Sequence, residues 1–253
     1  MTAVIGSFAI KGGVGKTATV VNLAYLAACE GARTLVWDLD PQGAVSFYYR
    51  MQPAPGGGVK SLLRERGRLA QAVRSTDYAN LDLIPADPKH RKLERLVHQI
   101  TKPHQLLAAR LKSLQRDYDF VFLDCPAGYT RFTQSVLRCL DALLVPIVPT
   151  TLSVRTWEQL LAELDDKQTK SLQLLPFFSM CDRRKQLHRD IMDGQLPGKK
   201  LARPLTHSVP YAVDVERMGV KRQPVDRFAS TSDAAMAYRG MWDEIKLRLA
   251  SAR

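Results

Sequence analysis

Lys11-Gly12-Gly13-Val14-Gly15-Lys16-Thr17 is the stretch that decides the fold. Glycines at 12, 13 and 15 permit a tight curve whose backbone N–H groups converge on an anion. Ala3 to Ala9 is small and apolar, and reads as a buried strand entering the loop. Thr17 to Glu30 follows without a breaker and carries Val20, Val21, Leu23, Ala24, Leu26 and Ala27, so it reads as a helix ending at Gly31. Strand, glycine loop and helix in that order aim the positive end of the helix dipole at a phosphate. Lys16 then reaches the β and γ phosphates of a nucleoside triphosphate, and Thr17 offers a hydroxyl to Mg²⁺. The expected ligands are ATP and Mg²⁺, bound by residues 11 to 18 including Val14 and Ala18.

Moving outward, Thr34-Leu35-Val36-Trp37 is a second strand and ends at Asp38-Leu39-Asp40-Pro41. Met51 to Gly58 holds Pro53, Pro55 and three consecutive glycines, and reads as a surface loop. Leu81 to Pro85, Phe120 to Asp124, Ala142 to Val148 and Leu172 to Met180 read as further strands. Lys89–Ile100, Pro103–Arg116, Val154–Asp166 and Ser232–Leu249 read as helices. Strands alternating with helices predict one α/β domain over residues 1–253, with a mostly parallel twisted sheet covered on both faces. Right-handed crossovers bring the carboxyl ends of the strands to one edge, where ligands bind.

The chain has 253 residues, 45% apolar and 25% charged, enough for a substantial core. No apolar run reaches the roughly 18 to 20 residues that span a bilayer, so no stable membrane insertion is expected. A cleavable leader would remove the loop, so none is expected. Four cysteines, Cys29, Cys125, Cys139 and Cys181, form no CxxC pair and read as free thiols of a reducing cytoplasm. A net charge of +12 favours a polyanionic partner, nucleic acid before membrane.

The loop departs from the common pattern GxxxxGK[ST]. The position of its first glycine is Ile10, and Lys11 stands beside it. This is the deviant Walker A pattern KGGxGK[ST]. With DLDPQG at 38 to 43 and FVFLDCPAG at 120 to 128, the chain resembles the ParA/Soj group of the ParA/MinD ATPases. The resemblance implies a P-loop fold, an ATP-dependent homodimer and ATP hydrolysis stimulated by an unidentified partner protein. It implies that Lys11 crosses the dimer interface to the phosphates of the other subunit, where a second cation stabilises the transferring group. It gives Asp40 the orienting of the attacking water, with Lys11, Lys16 and Asp40 as the catalytic set and Asp38 as a neighbour. It gives Asp124 the holding of Mg²⁺ through water. Ile10, Ala18 and Cys125-Pro126-Ala127-Gly128 depart from the group's usual residues, without removing a phosphate or metal ligand.

Two basic clusters are candidates for the polyanion. One is Arg183-Arg184-Lys185 with Arg189; the other is Lys199-Lys200 with Arg203. The resemblance puts an arginine for non-specific DNA binding at Arg184, and so a nucleoid location. Phosphate contacts of this kind are sequence-independent and salt-sensitive; a solvated basic face is the plainer alternative. Lys221 and Arg222 are candidates for the same face. The group's Pro-Arg-Asn-Val-Arg segment reads here Pro210-Tyr211-Ala212-Val213-Asp214, so both of its arginines are absent. The segment from Arg64 to Arg116 is a second basic candidate. His188 reads as a surface histidine.

The cargo of such a protein, whether plasmid, chromosome or protein assembly, is not written in the sequence. Two other readings have residue-level requirements. A MinD-like membrane ATPase needs an amphipathic tail, and Trp242, Ile245 and Leu249 fall on one face of the last helix; the same spacing fits a docked helix. An iron–sulfur reductase needs cysteines shared across a dimer, and Cys125 and Cys139 do not resemble that arrangement.

Overall fold

The protein is described from a computed structural model over residues 2–52, 68–86, 97, 99–114, 116–164, 171–194 and 202–251. Seven strands form one sheet: β1 (Ala3–Ser7), β2 (Thr34–Asp38), β3 (Arg74–Ser75), β4 (Leu81–Ile84), β5 (Phe120–Asp124), β6 (Ala142–Ile147) and β7 (Gln173–Phe178). Their spatial order is β3-β4-β2-β5-β1-β6-β7. Every pairing is parallel except that of β3, which runs antiparallel to β4 at the edge. The helices are α1 (Lys16–Cys29), α2 (Ala44–Tyr48), α3 (Arg68–Ala72), α4 (Pro103–Leu114), α5 (Arg131–Leu137), α6 (Thr151–Glu163), α7 (Gln186–Asp193), α8 (Val213–Lys221) and α9 (Asp233–Ser251).

Apart from the exposed edge strand β3, the strands are mostly apolar because both faces of the sheet are buried, and the period of two sorts their side chains between two cores. Val4, Leu35, Trp37, Val121, Leu123, Leu143 and Val145 point to one core, which α4, α5 and α6 close with Leu107, Leu111, Phe132, Val136, Trp157 and Leu160. Ala3, Ile5, Val36, Phe122, Ala142 and Leu144 point to the other, closed by α1, α8 and α9.

The last helix is docked. Trp242, Ile245 and Leu249 are buried. The Trp242 ring meets Phe120 edge-on at 5.0 Å, and its Nε1 donates to Glu30 Oε2 at 3.0 Å. The apolar stripe of α9 is therefore core, and no helix among the described residues is long and apolar enough to cross a membrane.

Several boundaries differ from the sequence reading. The helix expected from Val154 starts a turn earlier, at Thr151, because Thr150 caps it by accepting from the Ser153 amide at 3.4 Å. Helix α5 was given no bounds by the sequence reading, and helix α8, the short α2 and α3 and the edge strand β3 were not predicted. The expected helix Lys89–Ile100 and loop Met51–Gly58 fall largely outside the described residues. Gly31 does close α1, with φ at 88°, a left-handed conformation that costs glycine no Cβ clash.

Candidate nucleotide site

β1 is flanked by β5 and β6, so the loop after Ser7 opens in the middle of the carboxyl edge of the sheet. Gly15 is the N-cap of α1, with φ at 97°. A Cβ there would also lie 2.7 Å from Ser179 Oγ, just past the end of β7. Glycine is required twice over, by backbone and by space. No side chain caps α1 and its first turn contains no acid. Its leading N–H groups are thus left to an external anion. Lys16 is buried in the first turn, whereas Lys11, Gly12 and Gly13 are exposed.

Three aspartates gather beside this loop. β2 and β5 are neighbours in register, with Asp38 opposite Asp124 at their last residues. Both are fully buried. Asp124 Oδ2 accepts from the Thr17 hydroxyl at 2.7 Å, and Oδ1 of Asp124 has no hydrogen-bond partner. Asp38 Oδ2 accepts from the amide and the hydroxyl of Ser46 at 2.9 and 2.7 Å; Asp38 Oδ1 is likewise unpartnered. Asp40, half-buried in the turn that follows, accepts from the Gln42 amide at 2.9 Å.

Burial dominates the electrostatics. It lifts the Asp124 carboxyl well above the usual carboxylate range, and the charge of Asp38 adds to it; the Thr17 hydrogen bond and Lys16 pull the other way. Burial raises Asp38 to about 6, against the Ser46 hydrogen bonds. Two buried carboxyls with an orphaned oxygen each are short of positive charge. A divalent cation beside the Thr17 hydroxyl satisfies that shortage, so these residues fit Mg²⁺. Among the described residues no group of three His, Cys, Asp or Glu is placed to hold a metal unaided. Mg²⁺ in nucleotide sites takes its remaining ligands from phosphate and water.

The structure thus brings together Lys16, Thr17, Asp40 and Asp124 of the expected set, with Val14 and Ala18 buried beneath. Two partners were not foreseen. Ser46 lies eight residues from Asp38 with no local signal of the contact. Ser179 reaches the loop from β7 across the sheet. The full burial of Asp38 was legible in principle, since it ends an apolar strand as Asp124 does.

The basic residues divide. Arg183 and Lys185 are exposed with no ion pair among the described residues. Arg184 instead grips the Asp182 carboxylate with Nε at 2.9 Å and Nη2 at 3.0 Å, holding that acid at about 2. Arg189 turns back to the Arg183 carbonyl and the Gln186 side chain. Arg203 is exposed, whereas Lys199 and Lys200 lie outside the described residues. Arg222 is committed to α2, donating to the Phe47 carbonyl at 2.9 Å with its guanidinium over the Phe47 ring. In the segment lacking arginines, Tyr211 donates to Glu216 at 3.0 Å and Asp214 pairs with Arg217.

His188 corrects the sequence reading: it is buried, not a surface residue. Helix α7 turns Leu187 outward and His188 inward, and the His188 Nδ1 accepts from the Asp182 amide at 3.1 Å. A buried imidazole is tolerated when a backbone donor satisfies it.

Residues 2–175 match the AAA_31 family, an AAA domain. The chromosome partitioning protein ParA of Myxococcus xanthus is 34% identical over 140 residues, 54% of this chain and 49% of that protein. The sporulation initiation inhibitor Soj of Bacillus subtilis is 33% identical over 139 residues, 54% of each. The aligned stretch therefore spans about half the length of these relatives. A cobyrinic acid a,c-diamide synthase from Mycobacterium smegmatis, solved with ADP and magnesium, superposes with a TM-score of 0.81 at 26% identity over 100% of this chain and 97% of that one. McdA of Cyanothece shares the fold, with a TM-score of 0.83 at 20% identity over 97% of this chain and 100% of that one. With the deviant loop and the paired strand-end aspartates in place, the chain belongs to the AAA_31 family and is similar to ParA and Soj over about half of their length.

Proposed function

We propose that this protein binds Mg-ATP at the carboxyl edge of the sheet, dimerises on it, binds DNA without sequence preference and hydrolyses ATP slowly until a partner protein stimulates it. The carrying observation is the convergence of Lys16, Thr17, Asp40 and Asp124 around one uncapped helix N-terminus.

The loop amides and Lys16 bind the phosphates. Thr17 and, through water, Asp124 hold Mg²⁺, which neutralises charge on the phosphate oxygens. Asp40 is in no ion pair among the described residues, and its turn is fixed by the Gln42 and Gly43 amides, which supports the orienting of water as its role. The exposure of Lys11 supports a role outside its own subunit. A lysine that reached its own phosphates would be expected to fold inward as Lys16 does. ATP then joins two loops, each completed by the other's lysine. The exposed Arg183 and Lys185 are the candidate phosphate contacts for DNA, with Arg184 released from Asp182 as a third. Such a protein works in the cytoplasm, on the nucleoid, moving a plasmid, a chromosome or a protein assembly.

The membrane reading loses its main support, because the apolar stripe of α9 is spent on the core. Asp40→Ala is the direct test of the mechanism. It should keep ATP binding and trap dimers on DNA, seen as a shift in size-exclusion mass and as ATP-dependent DNA retention. Monomers with ATP, or unchanged hydrolysis, would overturn the role of Asp40.

A further inference from the structure

Two helices on the face that carries α4, α5 and α6 are unusually free of acids. From His98 to Arg116, and again from Cys125 to Leu140, the sequence contains no Asp or Glu. These stretches hold α4 and α5, which pack together and are joined by the Cys139 thiol donating to the His104 carbonyl at 3.3 Å. Leu107, Leu111, Leu114, Phe132, Val136 and Leu137 face the core. Lys102, Lys112, Arg116 and Arg131 face solvent. Arg131 reaches across to the Ile100 carbonyl at 3.2 Å, so the cations of the two helices form one field. An open cavity of about 530 Å³ is lined by Ala109, Lys112, Ser113 and Arg116. Ala109, Lys112 and Ser113 share one face of α4 and Arg116 follows its end, so two cations and two small side chains are among its lining. Of the acids that border these stretches, Asp124 is buried in the nucleotide site, Asp119 is held by Arg33 and Asp141 accepts from the Val4 amide at 2.7 Å; Glu94 lies outside the described residues. Asp117 is a further exposed acid at the border, as Asp119 and Asp141 are.

The chemistry of the occupant follows from what else the face has and lacks. The exposed large apolar side chains of the described residues lie at Phe47, Leu152, Leu187, Tyr211, Val213, Val220, Met236 and Leu247, and none is on α4 or α5. A membrane interface or a docked amphipathic peptide needs such anchors. Single-stranded nucleic acid needs exposed rings for base stacking; Phe132 is buried and the Tyr129 hydroxyl is committed to the Glu163 carbonyl. Charge with neither apolar anchor nor stacking platform fits the phosphate backbone of a duplex.

We infer that the α4–α5 face is a second contact surface for the backbone of double-stranded DNA, separate from the loop at Arg183 and Lys185. The inference rests on DNA being the polyanion of the proposed function, but it uses none of the nucleotide-site residues.

The test is fluorescence anisotropy of a labelled random-sequence duplex with the full chain, ATP and Mg²⁺, across salt concentrations. The double variant Lys112→Ala/Arg116→Ala should bind roughly ten-fold or more weakly near physiological salt. Its slope of log affinity against log salt should fall by about 2, near 0.9 for each lost contact. Basal ATP hydrolysis should be unchanged. Ala109→Glu leaves every cation in place and should weaken binding in the same direction. Unchanged affinity and slope in both variants, with Arg183→Ala/Lys185→Ala alone removing binding, would overturn the inference. So would loss of binding to phosphatidylserine vesicles in place of duplex. If the wild-type chain hydrolyses ATP but never retains DNA, the inference falls and the nucleotide site stands. If DNA binding depends on Lys112 and Arg116 while ATP is not hydrolysed, the inference stands and the ATPase reading falls.

Discussion

Lys11 and Lys16 are five residues apart on one loop and differ in burial, which in the proposed function gives them different tasks. Lys16 sits inside the first turn of α1, whereas Lys11 is open to solvent. Lys11→Ala should therefore leave ATP binding within a few-fold of wild type, read by a fluorescent nucleotide, while hydrolysis drops by about 10³ as in other loss of a trans-acting cation. Asp38 makes a different prediction, about protons. Its folded pKa of about 6 exceeds the unfolded value, so the native state holds an extra proton between about pH 4 and 6. That contribution to stability is fully present below about pH 4 and is lost as pH rises through about 6. Asp38→Asn keeps a carbonyl oxygen for Ser46 and removes the titration. Without Mg²⁺, the variant should be more stable than wild type at pH 7 by on the order of 2 kcal/mol, and equal to it near pH 4. Thermal melts of both chains across that range check it; comparing the two removes the opposite trend of Asp119 and Glu244, whose carboxyls are held low.

Among the elements, α9 shows how a terminal helix is fixed. Trp242 fills the space over Phe120 and Phe122, and Lys246 ties the surface to Glu30 at 2.7 Å. The lysine pair is partly exposed and contributes little; the ring contributes most. Trp242→Ala should cost about 3–5 kcal/mol, measured as a lower urea midpoint. Strands β1, β2 and β4 to β7 were legible because burial on both faces leaves them mostly apolar, whereas the exposed pair Arg74–Ser75 of β3 was not predicted; α1, α4 and α9 were legible because they are long and carry no proline in their interiors. The bounds of α5 were not legible because it has seven residues and a capping box closed by Thr133, not by the usual Glu or Gln. Helix α8 escaped because Gly219 and the exposed Val213 and Val220 blur its period. At the site, the loop and Asp124 were legible because they are local motifs. Ser46, Ser179 and the inward turn of His188 were not, because they depend on which strands become neighbours.

At the scale of the whole molecule, the net charge of +12 is unevenly used. Arg33, Arg50, Arg184, Arg217, Arg239, Lys246 and Arg248 are all in ion pairs. Arg183 and Lys185 after β7, and Lys102, Lys112 and Arg116 around α4, are exposed and in no ion pair among the described residues. Retention on DNA should therefore fall steeply with salt, and a flat salt dependence would argue against backbone binding.

The contact between Gly15 and Ser179 carries a consequence of another kind. The phosphate loop rests on the end of β7, and the chain that leaves β7 becomes the basic loop of Arg183 and Lys185 within a few residues. In the proposed function ATP and DNA bind at opposite ends of this short connection, so their affinities are expected to be coupled. Whatever factor ATP adds to the affinity for DNA, DNA must return to the affinity for ATP, because the two paths around the cycle share their end states. The nucleoid would then be an effector of the nucleotide as well as a track. ATP titrated with and without duplex should show that factor in both directions, and a bulkier side chain in place of Ser179 should shrink it.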